Sequence, residues 1–338
     1  MKKINDTIQL SATDLVGHLN CGHLTALDVQ VAMGALKKPE NYDPLLEILR
    51  ERGQRHEDAY IQHLRDAGHQ LAKIEGVDIT DSTVDKTLEA MRNGSEIIIQ
   101  AALRNERWSG RADVLRRVET PSDLGDFSYE IIDTKLARET KGGTVLQLCL
   151  YADLLANAQG CLPEKVFVVA PWSDYQPQEF RFADYAAYFR RVKAAAENAL
   201  ELPDDQVEYP DPKSHCDVCR WEQQCEKRRR ADDHLCLVAG ISKNQISELQ
   251  ANGFGTAKTL ADMPSPMPFQ PQRGAPASFE RVRAQAAIQV SARETGERKF
   301  EFLDVVPEFG FAALPEPSDG DVFFDIESDQ FVGEQGLE

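Results

Sequence analysis

The chain has 338 residues, of which 42% are hydrophobic, 28% charged and 8% aromatic, a globular composition that excludes global disorder. No uninterrupted apolar run is long enough to span a bilayer, and residues 1–10 lack the apolar core of a secretory leader, which predicts a soluble, cytoplasmic protein. The formal charge of −18 excludes a broadly basic coat for nucleic acid, but eleven Asp/Glu and no Lys/Arg fall in residues 300–338, leaving −7 for residues 1–299. With five arginines inside residues 101–117, a nucleic-acid substrate stays open.

Residues 11–31 predict a helix with Ser11 or Thr13 as N-cap and Leu15, Leu19 and Leu27 along an apolar stripe. Residues 44–67 predict a longer, charge-rich helix ending before Gly68, followed by a short strand at 70–74 and a helix at 82–92. Three strands come next, at 96–103, 108–118 and 129–137, the last two joined by a turn with Pro and Gly at 120–126. A helix opens at Gly142-Gly143 and runs to 156. Strands at 165–170 and 179–182 and a helix at 182–200 complete an α/β layout with a mixed central sheet flanked by helices. Residues 241–263 read as two short helices around 253–255, resembling a helix-hairpin-helix element. A Pro-rich linker at 264–275, a helix at 278–293 and the acidic tail follow.

The densest chemistry lies on the meander. Gly110-Arg-Ala-Asp113 precedes Asp133-Thr134-Lys135 by twenty positions. With a strand period of two, Asp133 and Lys135 are expected on one face and Thr134 on the other, and Asp113 on the neighbouring strand falls beside Asp133. Two carboxylates so placed repel unless a cation lies between them, and hard oxygen donors suit Mg²⁺ or Mn²⁺. A lysine beside that cation can orient water or offset charge on a phosphoryl oxygen. Taken alone, Asp-x-Lys is a common exposed strand pair, but here it ends the apolar run Ile131-Ile132, where buried charges rarely lack a role. Twelve positions on, Gln147 and Tyr151 share a helix face at i and i+4, beside a core stripe of Leu146, Leu150 and Leu154. Upstream, His56 within Arg52-Gly-Gln-Arg-His-Glu57 is a nitrogen donor for the carboxylate pair, although a lone helical histidine is more often a surface residue.

The order His56, Gly110-x-x-Asp113, Asp133-x-Lys135, Gln147-x-x-x-Tyr151 resembles the RecB-like branch of the PD-(D/E)xK nucleases, over roughly residues 11–235. The resemblance implies a restriction-endonuclease-like core with His56, Asp113, Asp133 and the Thr134 carbonyl as metal ligands. It makes Lys135 catalytic, and Gln147 and Tyr151 supporting or DNA-contacting. One departure is Asp133, where Glu is commoner in the family and reaches further.

Seven cysteines in a chain without an export signal argue against a disulfide framework. Cys216-x₂-Cys219-x₅-Cys225 clusters three thiols, and a closed site needs a fourth, for which Cys21 is the candidate across 194 intervening residues. Zinc ligands are usually local. One early cysteine plus a late triplet resembles the [4Fe–4S] staple of CRISPR-associated RecB-like exonucleases and the AddB nuclease domain, which implies a cluster tying the N-terminal helix to the end of the nuclease core. A zinc site, in which His23 or His215 replaces a thiolate, is the alternative. Cys149, Cys161 and Cys236 are assigned to packing, and the basic run 227–230 is a solvated helix face or a phosphate contact.

Residues 321–329 end an apolar stretch in Asp325-x-Glu327, which resembles the first strand of an RNase-H-like exonuclease too short to fold here. The expected organisation is a nuclease domain at 1–235, a helix-hairpin-helix-like element at 236–263, a linker and helix at 264–320, and a truncated RNase-H-like start or acidic tail at 321–338. The expected function is a metal-dependent DNA exonuclease on single-stranded ends, with a helicase as partner or missing fusion. The alternative is a non-catalytic iron–sulfur adaptor that clamps DNA ends for a helicase–nuclease assembly.

Overall fold

The computed structural model describes residues 1–4, 6–40, 44–137, 139–203 and 206–328. The chain divides into two units, Met1–Leu237 and Val238–Glu338.

The first unit is built on an eight-stranded mixed sheet. Strands β1 (Lys2–Ile4) and β2 (Thr7–Ser11) form an antiparallel pair that the sequence reading missed. Helix α1 (Ala12–Asn20) begins at a Ser11 capping box closed by Asp14, and α2 (Gly22–Ala32) follows at once. The single helix expected over residues 11–31 is therefore broken, and the break is Cys21. Its extended backbone (φ −161°, ψ 113°) ends one helix and begins the next. Helices α3 (Pro44–Asp66) and α4 (Asp81–Arg92) flank the short strand β3 (Leu71–Lys73).

Strands β4 (Ile97–Arg104), β5 (Trp108–Val118) and β6 (Ser128–Thr134) make the expected antiparallel meander. Strand β6 ends at Thr134, so Lys135 lies just past it rather than within a strand reaching 137. A parallel neighbour needs a crossover. Helix α5 (Gly142–Gln159) supplies it, returning the chain to β7 (Lys165–Val169) beside β6. Strand β8 (Gln178–Arg181) and helix α6 (Phe182–Asn198) close the layer.

Alternation along these strands builds two cores. Ile98, Leu115, Ile131, Val166 and Val168 join α1, α5 and α6 on one face, whereas Ile97, Ile99, Val114, Ile132, Phe167 and Val169 meet Tyr60, Ile61 and Leu64 of α3 on the other. The alternation breaks once. Ile98 and Ala101 share a face, as do Ala112 and Leu115, so both strands switch faces at Gln100 and Asp113. Gln100 has a φ of +56°, and the ladder skips from Ile99↔Val114 to Ala101↔Ala112. One residue is skipped on each strand, so the register is kept, and the left-handed backbone at Gln100 re-aims what lies opposite it.

Helix α7 (Glu222–Ala231) ends the first unit's cysteine segment. The second unit holds α8 (Lys243–Ala251), α9 (Ala257–Ala261) and α10 (Pro276–Thr295), with φ +86° at Gly253 in the α8–α9 turn. Residues 321–328 form no strand, in contrast to the apolar strand expected there, and Val322, Phe323, Phe324 and Ile326 are exposed. The last positions of that stretch, 329–338, lie outside the described residues. Among the described residues no helix is long and apolar enough to cross a membrane.

Candidate active site

The face switch at Gln100 and Asp113 places Asp113 at the end of β6. The Asp113 carboxylate accepts two bonds from one residue, the Thr134 amide at 2.8 Å and the Thr134 hydroxyl at 2.9 Å, both on Oδ2. The Thr134 side chain thus reaches Asp113 instead of pointing away as strict alternation requires, because its strand ends there and the β5–β6 ladder has already stopped at Val114↔Ile132. Asp133 is fully buried on the α5 side. Neither of its oxygens accepts a hydrogen bond of sound geometry, and Oδ2 is in ion-pair contact with the Lys135 ammonium. Burial first, and the Asp113 charge second, raise the Asp133 pKa above the ordinary carboxylate range. Burial opposes the Lys135 ammonium, but Asp133, Asp113 and Glu57 outweigh it, so its pKa lies above the usual lysine value.

Helix α5 covers this cluster. Gln147 Nε2 donates to the Tyr151 hydroxyl at 3.0 Å, and the buried Tyr151 phenol is pushed up in pKa by burial and then by Asp133 and Asp113. The ring lies on Gly110, where a Cβ would approach Tyr151 Cδ1 to 2.7 Å. Glycine at this position is thus a packing requirement that lets α5 bring Tyr151 over the carboxylates.

Helix α3 contributes two neighbours in opposite ways. His56 Nε2 donates to the Val169 carbonyl at 3.0 Å, so that ring nitrogen carries the proton and is committed to β7. Glu57 accepts from Gln100 Nε2 at 2.6 Å, and its pKa is raised by burial and then by Asp113. Glu57 is the site residue that sequence reasoning passed over. It sits beside His56 in the same charged helix, and only the left-handed turn at Gln100 ties it to the Asp113 strand.

The four cysteines of the expected staple line one pocket, together with Leu24, Leu27 and the fully buried Trp221. Cys21 is presented by the α1–α2 break, Cys216 by a 3-10 turn (Ser214–Val218) and Cys225 by α7. Trp221 Nε1 donates to Asp28 of α2 at 3.1 Å, pinning this late segment to the N-terminal helices. Burial, followed by the Arg229 cation, which opposes it, leaves the Cys225 thiol pushed up to about 11, and burial raises Cys219 as well. Cys149 is buried in the main core, whereas Cys161 and Cys236 are half-buried. Among the described residues, no three or more His, Cys, Asp or Glu side chains are drawn tightly enough together to clasp a single metal ion. Four of the five arginines of residues 101–117 are committed: Arg104 to Asp81, Arg116 to Glu130, Arg111 to backbone carbonyls and Arg117 to Glu119.

The sequence profile of the PD-(D/E)XK nuclease superfamily matches residues 21–226, more than half of the chain. The chain belongs to that superfamily. No curated protein matches the sequence. Among solved structures, the crystal structure of SSO0001 is similar over 65% of this chain and 87% of its own, at 15% identity and a TM-score of 0.31.

Members of this superfamily are generally phosphodiesterase nucleases and typically use Mg²⁺ or Mn²⁺. Two of the residues present, Asp113 and Asp133, have the chemistry such a cation takes. Asp133 offers two buried oxygens without hydrogen bonds, Asp113 keeps Oδ1 beside them, and hard carboxylate donors suit these ions. The cysteine set fits a different group, since four thiols in an apolar pocket are soft donors.

Proposed function

We propose that this chain is a RecB-like, metal-dependent exonuclease acting on single-stranded DNA ends, with a [4Fe–4S] cluster held by Cys21, Cys216, Cys219 and Cys225. The observation that carries the reading is Asp133, a fully buried carboxylate whose oxygens lack hydrogen bonds and which faces Asp113 and Lys135. A buried carboxylate that shares one lysine with a second carboxylate is costly in its charged form, so it is hard to explain as packing.

In this reading Asp113 and Asp133 hold the divalent ion, with His56 Nδ1 and the Thr134 carbonyl as further donors and Glu57 as a third carboxylate beside them. Such an ion, when bound, neutralises the carboxylates and lowers the pKa of a water on the attacking side of the phosphorus. The Lys135 ammonium offsets negative charge that grows on a phosphoryl oxygen as the P–O bond to the leaving strand breaks. The Gln147–Tyr151 pair would support or orient the strand, and Thr134 holds Asp113 through two bonds.

The iron–sulfur assignment is supported by four thiols lining one pocket that joins the α1–α2 break to the segment after α6. A strand-end nuclease of this kind suits DNA repair, recombination or defence, alone or beside a helicase.

The test is cleavage of end-labelled single strands and closed single-stranded circles in Mn²⁺. The expected result is release of label from linear ends and resistance of circles, both abolished in Asp113→Ala. DNA binding without any metal-dependent cleavage would sink the catalytic reading and favour an end-clamping adaptor.

A further inference from the structure

Of the chain's three tryptophans, Trp108 and Trp221 are buried, at 1% and 0% exposure, whereas Trp172 is 58% exposed. A lone apolar side chain on a surface is ordinary, so exposure by itself decides nothing. The place and the mounting of this one do. Trp172 lies in Pro171–Ser173, a 3-10 turn that leaves the end of β7. The last residue of β7, Val169, accepts the Lys135 amide and His56 Nε2 on its carbonyl, each at 3.0 Å. Three residues of chain span at most about 11 Å, so Trp172 is tethered within that distance of the residue that holds both site neighbours.

The mounting is rigid. Pro171 and Pro177 bound the segment Pro-Trp-Ser-Asp-Tyr-Gln-Pro and fix φ at both ends. Inside it the Ser173 amide and hydroxyl both donate to the Ala170 carbonyl, at 3.1 and 2.9 Å, and the Gln176 amide donates to the Ser173 carbonyl at 2.9 Å. Asp174 and Tyr175 then follow one another with φ +48° and +58°. Aspartate tolerates that region, but a bulky tyrosine rarely enters it. The left-handed pair brings the Tyr175 ring onto α3, where it stacks on His63 at 4.6 Å between ring centres and packs on the core beside Tyr60. Strain of this kind persists only where its surroundings over-determine it, and it gathers at binding sites. One loop thus seats one aromatic ring and leaves another, three positions earlier, in solvent. A ring held on a fixed backbone loses little freedom on binding, as a stacking platform requires.

The setting also selects the occupant. The one charged residue of the loop is the exposed Asp174, so the loop offers no contact for a phosphate. An indole accepts the neutral face of a base, and unpaired strands expose such faces while a duplex hides them in its stack. We infer that Trp172 stacks on an unpaired nucleobase of the strand that lies in the carboxylate site. At about 3.4 Å per nucleotide, that base falls within about three nucleotides of the scissile phosphate. The inference rests on the nuclease reading and deepens it: the ring favours single strands over duplex and takes any base, since every base has a π-face. Trp172 sets strand specificity and has no part in the chemistry.

The test is a fluorescence titration in EDTA with oligothymidylate and with a blunt duplex of equal length, affinities being read from the anisotropy of labelled copies. The expected result is quenching of the tryptophan emission as the single strand saturates, and little change with the duplex. Trp172→Phe should abolish that signal, because the two remaining indoles are buried, yet hold affinity within about three-fold. Trp172→Ala should weaken strand binding by about 5- to 150-fold, the range for one base stacked on an aromatic ring, with a thermal melt matching the unaltered protein. Emission that stays constant at saturation, equal quenching by the duplex, an Ala variant that binds as tightly as the unaltered protein, or a Phe variant as weak as the Ala variant overturns the inference. Emission that follows protein concentration instead of DNA also overturns it, and gives the ring to a contact between copies of the chain. Mn²⁺ cleavage is read separately. Cleavage of single strands with none of these effects removes Trp172 from the site and leaves the nuclease reading standing, whereas strand-dependent quenching without cleavage does the reverse.

Discussion

Asp133→Asn should stabilise the cation-free protein and destabilise the loaded one. Three carboxylates, Glu57, Asp113 and Asp133, face the single ammonium of Lys135, and Asp133 is fully buried. Its pKa is raised, by burial first and then by Asp113, so the folded state disfavours the charged form. The penalty is fully present above the folded pKa and is lost as pH falls toward the ordinary carboxylate value of about 3.9. Asn removes the charge at almost unchanged volume but also takes one partner from Lys135. The net gain at pH 7 in EDTA is therefore ~1–2 kcal/mol, less than the cost of a wholly isolated buried charge. For a protein of this size that corresponds to a rise of ~2–8 °C in Tm. With Mn²⁺ at about 100 times its Kd the unaltered protein gains about 2.7 kcal/mol and the variant much less, so the order reverses. Circular-dichroism melts at pH 7 in EDTA and in Mn²⁺, repeated at pH 5 in EDTA where the gap should narrow, read all three effects. A lower Tm for the variant in EDTA, or an equal Mn²⁺ gain in both proteins, refutes the account of the site as a charge cluster awaiting a cation.

Lys135→Ala should leave Mn²⁺ binding largely intact, by calorimetric titration, while single-turnover cleavage slows by ~10²-fold or more, the size of one positioned electrostatic group. Cys21→Ser should lose iron and visible colour as completely as Cys219→Ser, because both line one pocket despite their separation in sequence. Anaerobic iron analysis giving about four irons per chain in the unaltered protein, and a marked loss in each variant, checks this. Stoichiometric zinc in colourless protein would refute the iron assignment. Deleting residues 300–338, which hold eleven acids and no bases, should tighten DNA binding at low salt and matter less at high salt. An unchanged affinity across a salt series would mean that the tail stays away from the DNA.

Much of the fold was legible because its elements carry strong periodic patterns. The meander, the α5 crossover and α6 follow from apolar spacing and turn residues, and the order of the site motifs follows with them. The N-terminal pairing of β1 with β2 was not legible, since Lys2–Ile4 is short and exposed and its partner is set by a non-local contact of β2 with β5. The break between α1 and α2 was hidden for a related reason. Cys21 interrupts an otherwise continuous apolar stripe, and the only local mark of the stop is Gly22, a residue that a helical pattern often tolerates. Its position becomes intelligible only with Trp221 hydrogen-bonded to Asp28 and the other three thiols brought alongside.

The site was legible in its residue types but not in its geometry, and the reason is a single residue. Strict alternation assigns each position of β4 and β5 to a face, and it fails at Gln100, whose left-handed backbone makes both strands change faces. That change puts Asp113 beside Thr134, and the Gln100 side chain holds Glu57 toward the same carboxylates. A sequence shows neither fact, because glutamine carries no mark of a positive φ and Glu57 is one acid among many on α3. Holding a non-glycine residue in this region costs on the order of 1–3 kcal/mol, and it persists only where surrounding bonds over-determine it. Here they do: the Gln100 carbonyl accepts from Arg111 Nη1 at 2.9 Å while its amide grips Glu57. The kink thus couples the height of Asp113 above the sheet to the position of α3. The number of carboxylates that can meet a cation is consequently set by the β4–β5 pair rather than by the Asp-x-Lys motif itself.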